Sequence, residues 1–205
     1  MAKKSPAEFD LRTLTDRVSE TYTRLAQDPT GEFHFNSGLD YACELLGYDR
    51  AELETLPAKC TSRFAGLGNP HRIGPIEAGE TVLDIGSGAG MDLLLSARRT
   101  GPRGKVIGID PTPAMRECAA SCAREADLDR IVELRAGTAD ALPAGDSSAD
   151  VVTSNGVINL SPDKAVAFSE IARVLRPGGR LYLADVALDE ELSPRSRADA
   201  NLWAA

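Results

Sequence analysis

Thr81-Val82-Leu83-Asp84-Ile85-Gly86-Ser87-Gly88-Ala89-Gly90-Met91-Asp92 decides the fold. A short apolar run, Thr81–Ile85, enters a turn with three glycines and leaves it as a helix. Such a run reads as a strand buried on both faces. Glycines let a backbone approach a ligand closely and adopt φ values closed to other residues. The helix that follows presents free N–H donors and a partial positive charge, which suit a phosphate or a carboxylate. By itself a glycine turn of this kind is a weak signal, because many are plain tight turns. Its surroundings strengthen it.

From residue 80 onward strands and helices alternate. A helix is expected from about Ala89 to Arg99, stopped at Thr100-Gly101. Lys105–Ile109 is the second strand and Pro113–Ala126 the next helix. Ile131–Arg135 is the third strand. Asp150–Ser154 is the fourth, entered by the turn Gly145-Asp146-Ser147-Ser148. Ser161-Pro162 opens a helix ending at Leu175, and Pro177-Gly178-Gly179 turns the chain into a fifth strand, Arg180–Ala184. This order implies an α/β fold with a parallel sheet and helices on both faces.

Asp110 ends the second strand, 20 residues after Gly90. An acidic residue there is placed to hold both ribose hydroxyls of a nucleoside cofactor. A dinucleotide turn would carry glycine or alanine where Met91 stands. Asp84, at the end of the first strand, suits a cationic amine, which NAD lacks. S-adenosylmethionine has an amine, a carboxylate and a sulfonium, and no pyrophosphate, so it is the cofactor expected.

The first 75 residues read differently. Ser5-Pro6-Ala7-Glu8 is a capping box, and Leu11, Leu14, Val18, Tyr22 and Leu25 recur at helical spacing. Asp28-Pro29-Thr30-Gly31 breaks that helix. Ser37 and Asp40 cap a short helix closed by Gly47, and Asp49 opens another that ends before Pro57. Residues 58–75 are glycine- and proline-rich and read as an irregular connector. Two regions are expected: a helical cap and connector over 1–75, and a cofactor-binding region over 76–205.

The chain has 205 residues and a formal net charge of -8. A nucleic-acid binder carries a basic face, and none is visible beyond Lys3-Lys4. Nucleic acid and anionic membrane surfaces are therefore not expected partners. No apolar run is long enough to span a bilayer and the N-terminus does not read as a signal peptide, so a cytoplasmic location is expected. The four cysteines, Cys43, Cys60, Cys118 and Cys122, form no C-x-x-C pair and read as free thiols. No metal site is expected.

Several words of the sequence resemble a known family. They are Gly66-Leu67-Gly68-Asn69-Pro70, Thr81–Asp92, Gly137–Pro143, Ser154-Asn155-Gly156-Val157-Ile158-Asn159-Leu160-Ser161-Pro162-Asp163-Lys164 and Arg173–Arg180. Together they look like a class I, Rossmann-like S-adenosylmethionine-dependent methyltransferase of the arsenite methyltransferase branch. By that resemblance Asp84, Gly86, Ser87, Gly88 and Gly90 hold the methionine end of the cofactor and Asp110 its ribose. Thr112 and Met115 flank the adenosine, Ala139 and Asp140 meet the adenine edge, and Asn155 and Gly156 line the pocket. Plain core packing competes at Met115, and turn capping at Asp140.

The sequence departs from the branch where the acceptor should sit. Arsenite methyltransferases hold trivalent arsenic on cysteine thiolates, a soft ligand for a soft metalloid. One thiol stands where this chain has Gly156, another in or beside the Gly66–Pro70 word, and a further one beyond the helix that here runs to Trp203. All three are missing. Cys118 and Cys122 share a helical face but read as buried packing. Cys43 reads as a core residue of the cap. Cys60, in the connector, is the candidate nearest substrate. His71 and Tyr22 are further candidates; for His71 a solvated loop position competes, and for Tyr22 simple packing. No catalytic base is evident, and a soft nucleophile needs none. The class I fold resembles a seven-stranded sheet, whereas only five strands are legible, so the last strands are expected to be missing and the open edge to be covered by a second copy or a partner chain.

The leading expectation is methyl transfer to a small acceptor, soft and of thiol or metalloid type, that has drifted from arsenite. An arsenite methyltransferase with a reduced thiol set, aided by glutathione, competes with it. So does a non-catalytic protein that binds S-adenosylmethionine and acts through a partner.

Overall fold

The computed structural model describes residues 11–187. The capping box at Ser5 and the helix expected to end at Trp203 lie outside these residues. Four helices come first: α1 (Leu11–Gln27), α2 (Leu39–Glu44), α3 (Arg50–Leu53) and α4 (Ala58–Thr61). Then follow β1 (Thr81–Ile85), α5 (Met91–Thr100), β2 (Lys105–Ile109), α6 (Pro113–Glu125), β3 (Val132–Arg135), β4 (Ala149–Asn155), α7 (Lys164–Val174) and β5 (Leu175–Ala184).

The strands form one sheet in the order β3-β2-β1-β4-β5, and every pairing is parallel. β1 and β2 occupy the middle and are buried almost end to end, which is why they read as continuous apolar runs. Along β1 the side chains alternate between faces. Val82 packs with Leu93, Ala97 and Ala119 of α5 and α6. Leu83 packs with Ala167, Ile171 and Val174 of α7. Helices thus cover both faces, as expected. The chain leaves β1 toward β2 on one side and β4 lies on the other, so a crevice opens at the carboxyl ends of β1 and β4. Ligands of doubly wound sheets bind at that switch point.

α1 to α4 lay a separate apolar layer on the outside of α5 and α6. Leu25, Ala42, Leu53 and Leu56 are buried there with Leu94, Leu95, Met115 and Cys122. Each large aliphatic side chain so buried contributes about 1.5–3 kcal/mol. Arg63 ties the layer together by donating from Nε to the Ala26 carbonyl at 2.7 Å.

Several local expectations are corrected. Pro177-Gly178-Gly179 does not precede β5 but lies inside it. Ala149 pairs with Leu175 and Val151 with Arg180, so the residues between bulge out of the ladder. Gly178 at φ +82° permits the bulge, and an edge strand tolerates the proline. α7 is capped by Asp163, which accepts the Val166 N–H at 3.1 Å, rather than by Ser161. α5 starts at Met91 because Gly86, Gly88 and Gly90 all hold positive φ. At α2 the cap is Gly38, whose N–H reaches the Phe64 carbonyl at 2.8 Å, not Ser37 or Asp40. The expected irregular connector contains α4 and a 3-10 turn, Pro70–Arg72.

Candidate functional site

The crevice contains a cavity of about 400 Å³, and all twelve residues expected to contact the cofactor line it. Each sits at the carboxyl end of a strand or just beyond it. Gly86 holds φ +69° and packs directly against Val157, so any Cβ there would collide with that side chain. Its N–H and that of Ser87 donate to the Ile109 carbonyl at 2.7 and 3.1 Å. The glycine turn is thereby pinned to β2, and its open side faces the cavity.

Asp84 ends β1 and is 3 % exposed. Its Oδ1 accepts the Thr153 hydroxyl at 2.6 Å, while Oδ2 is buried with no hydrogen-bond partner. Burial, and then the nearby Asp92 and Asp110 carboxylates, push its acid well above the usual carboxylate range. A cation brought to Oδ2 reverses that penalty. The Ser87 hydroxyl, also buried, lacks a partner too. Asp110 braces the turn from the other side. Its Oδ2 accepts the Gly88 N–H at 2.9 Å and its Oδ1 the Thr112 N–H at 2.8 Å. A carboxylate has about four acceptor positions, so two remain for a diol. Burial raises the Asp110 acid as well.

The charge of the cavity wall is one-sided. Among the described residues five aspartates line it, Asp16, Asp84, Asp92, Asp110 and Asp140, against a single cationic side chain, Arg63. A ligand rich in phosphate would meet repulsion there. A ligand carrying an ammonium or sulfonium group would meet attraction.

Tyr22 lines the cavity from α1. Burial, and then the Asp110 and Asp185 carboxylates, push its phenol up to about 12, so it stays protonated at neutral pH. Cys60 also touches the cavity, but its thiol is buried and donates to the Pro57 carbonyl at 3.1 Å. Its hydrogen bond with Cys122, and then burial, hold the thiol form. His71 is not solvated. Its side chain is 2 % exposed and lies behind Asp92, outside the cavity lining. Cys43 is half-buried at the margin of the cap.

Asn155 and Gly156 meet the cap across the cavity mouth. Gly156 holds φ +70°, and a Cβ there would stand 3.1 Å from Leu67 Cγ. The two words in which the resemblance leads one to expect thiols therefore face each other, and a leucine and a glycine meet there. Residues that sequence reasoning passed over include Asp92, Phe64, Gly66 and Val157. Asp92 was legible as the last residue of the glycine-turn word. Gly66 and Val157 stood within words that carry the resemblance, without a role assigned to either; Phe64 carried no signal, because only the folding of the cap brings it to the crevice. Among the described residues no helix is long and apolar enough to cross a membrane, and no cluster of His, Cys, Asp and Glu could hold a metal ion.

Comparison with known proteins agrees with this geometry. Residues 76–205, more than half of the chain, match the model of the methyltransferase domain family. The arsenite methyltransferase of Halobacterium salinarum is 39% identical over 193 residues, which cover 88% of this chain and 49% of that protein. The crystal structure of an arsenic(III) S-adenosylmethionine methyltransferase from Chlamydomonas reinhardtii superposes with a TM-score of 0.67 at 40% identity, covering 75% of this chain and 53% of that one. A SAM-dependent methyltransferase from Aquifex aeolicus shares the fold, with a TM-score of 0.52 at 22% identity, over 78% of this chain and 80% of that one. The chain thus spans about half the length of the arsenite methyltransferases it matches. It belongs to the methyltransferase domain family, on the side of that family where the arsenite methyltransferases lie.

Proposed function

We propose that this chain binds S-adenosylmethionine in the crevice and transfers its methyl group to a small acceptor that enters beneath the helical cap. The observation that carries the reading is the buried, unpartnered Oδ2 of Asp84 in a cavity whose described lining has five carboxylates and one guanidinium. Asp84 would hold the cofactor's ammonium. The Ser87 hydroxyl and the N–H groups at the start of α5 would hold its carboxylate. Asp110 would take the two ribose hydroxyls on its free lone pairs. Thr112 and Met115 would flank the adenosine, and Ala139 and Asp140 would meet the adenine edge.

When bound, the cofactor supplies an electrophilic methyl group on a cationic sulfur. The chain's own part is to align the acceptor with that methyl and to exclude water. Phe64, Ala65, Leu160 and Val157 give the acceptor end an apolar wall. Among the described residues, Tyr22 is held neutral and Asp110 is engaged by backbone N–H groups, so neither is built to remove a proton. That favours an acceptor that is already nucleophilic, such as a thiolate or a lone pair on a metalloid. The similar arsenite methyltransferases point to the same chemical class. The glycine and leucine at the mouth favour an acceptor that needs no protein thiol.

Isothermal titration with S-adenosylmethionine tests the cofactor half, and absence of binding would sink the whole reading. The acceptor half is tested by mass spectrometry after incubation with methyl-labelled cofactor and, separately, arsenite, selenite, tellurite and a panel of small thiols. Label on any of these acceptors supports it; label on none, with the cofactor bound, refutes it.

A further inference from the structure

Asp92 stands in the first turn of α5, directly after the glycine turn, and is 7 % exposed. Three side chains converge on it. The Tyr48 hydroxyl donates to Oδ1 at 2.7 Å and the Asn155 amide to Oδ2 at 3.0 Å. His71 Nε2 lies 3.2 Å from Oδ1. Against the burial that would raise it, His71, Asn155 and Tyr48 hold the Asp92 acid below the usual carboxylate value. Burial and the Asp92 carboxylate keep the Tyr48 phenol protonated. The three partners of Asp92 thus favour its charged form, whereas burial disfavours the charged form of Asp84 beside it.

The same donors also grip a loop of the cap. Asn155 Oδ1 accepts the N–H groups of Leu67 and Gly68 at 2.7 and 3.1 Å, and its amide donates to the Gly68 carbonyl at 2.8 Å. Tyr48 touches that carbonyl at 3.1 Å. Tyr41 donates to the Gly66 carbonyl at 2.9 Å. Gly66 itself lines the cavity. The acceptor-side loop is therefore fastened to Asp92 through two side chains.

We propose that Asp92, with Tyr48 and Asn155 as positioning residues, couples cofactor binding to closure of the Gly66–Gly68 loop over the acceptor end of the cavity. A cofactor cation brought to Asp84 favours the ionised form of that acid and offsets the charge of Asp92 beside it, so that both carboxylates can be charged together. The donors that hold the loop then keep their orientation toward Asp92. By reciprocity, the closed loop raises cofactor affinity by the same factor. This rests on the S-adenosylmethionine reading above.

Backbone hydrogen exchange of the peptides spanning residues 64–70, with and without S-adenosylmethionine, tests it alongside titration of cofactor affinity. In the parent chain, saturating cofactor is expected to slow exchange at Leu67 and Gly68. In Asp92→Asn the cofactor still binds, about tenfold more weakly (about 1.4 kcal/mol), and the slowing is lost. A residue that only supported the fold would change the exchange rate equally with and without cofactor. Tyr48→Phe provides a milder variant that keeps the ring: loop exchange accelerates in the absence of cofactor and affinity falls. Cofactor binding with no change of loop exchange in the parent overturns the coupling. So does full slowing in Asp92→Asn, or behaviour of Tyr48→Phe identical to the parent. No cofactor binding in the parent refutes instead the reading on which the coupling rests.

Discussion

Asp110→Asn alters one charge and one acceptor in the cavity wall and almost nothing of its shape. Asp110 presents one oxygen to the Gly88 N–H and the other to the Thr112 N–H. An amide has a single oxygen, so one of these buried N–H groups faces an NH₂ and loses its partner, at a cost of about 1–3 kcal/mol. Removal of a carboxylate that burial disfavours offsets part of this, and a stability loss of about 1 kcal/mol is expected. The effect on the cofactor is larger. Hydrogen bonds to a charged acceptor contribute about 1.5–3 kcal/mol and neutral ones about 0.5–1.5. Two ribose hydroxyls that lose the charge, and one of them its acceptor, lose about 2–3 kcal/mol together. That corresponds to S-adenosylmethionine binding weakened roughly 30- to 150-fold. Isothermal titration reads the affinity, and urea unfolding of the same preparation shows that the variant is folded. An affinity within about threefold of the parent in a folded variant would refute the role given to Asp110.

Three further outcomes are expected. Gly156→Ala places a Cβ against Leu67 at a φ of +70° and should lower stability by about 1–2 kcal/mol, read as a lower urea midpoint at unchanged slope; an unchanged midpoint would contradict the left-handed backbone there. Asp84→Asn should abolish measurable cofactor binding yet raise the melting temperature of the ligand-free chain at neutral pH. The sign follows from the raised folded-state acid of Asp84: its stabilising protonation is complete below the unfolded carboxylate value and is lost as pH rises through the higher folded value. The advantage of the variant should therefore shrink toward pH 4, and a constant or inverted difference between pH 4 and 8 would refute it. Cys60→Ser should leave transfer of label to the acceptor panel unchanged, because the thiol is buried, donates to the Pro57 carbonyl and is held protonated; loss of transfer with the cofactor still bound would make Cys60 part of the acceptor site.

Much of the Rossmann-like half was legible because its signals are local. β1 and β2 occupy the very residues that the apolar runs predict. Strands buried on both faces are written as uninterrupted apolar segments, and a glycine turn with an acid after the next strand has few other uses. The elements misread were those set by contacts distant in sequence. The bulge at Pro177–Gly179 depends on the pairing of β5 with β4. α4 forms where the cap closes on α6, although its residues taken alone read as a connector. His71, in a segment that reads as a solvated loop, is buried with its Nε2 3.2 Å from Asp92 Oδ1, a contact between residues 21 apart in the chain.

The sequence alone determined the sheet, its parallel connections, the glycine turn and the glycine at position 156 where a thiol is expected, since each is carried by residue types at short spacing. Tertiary structure alone decided the sign of the charge around the cavity and the make-up of its apolar wall. Asp16, Asp84, Asp92, Asp110 and Asp140 are scattered along the chain and become one field only when the carboxyl ends of the strands converge. Leu67 and Gly156 are 89 residues apart, and their contact exists only because the cap folds back over β4.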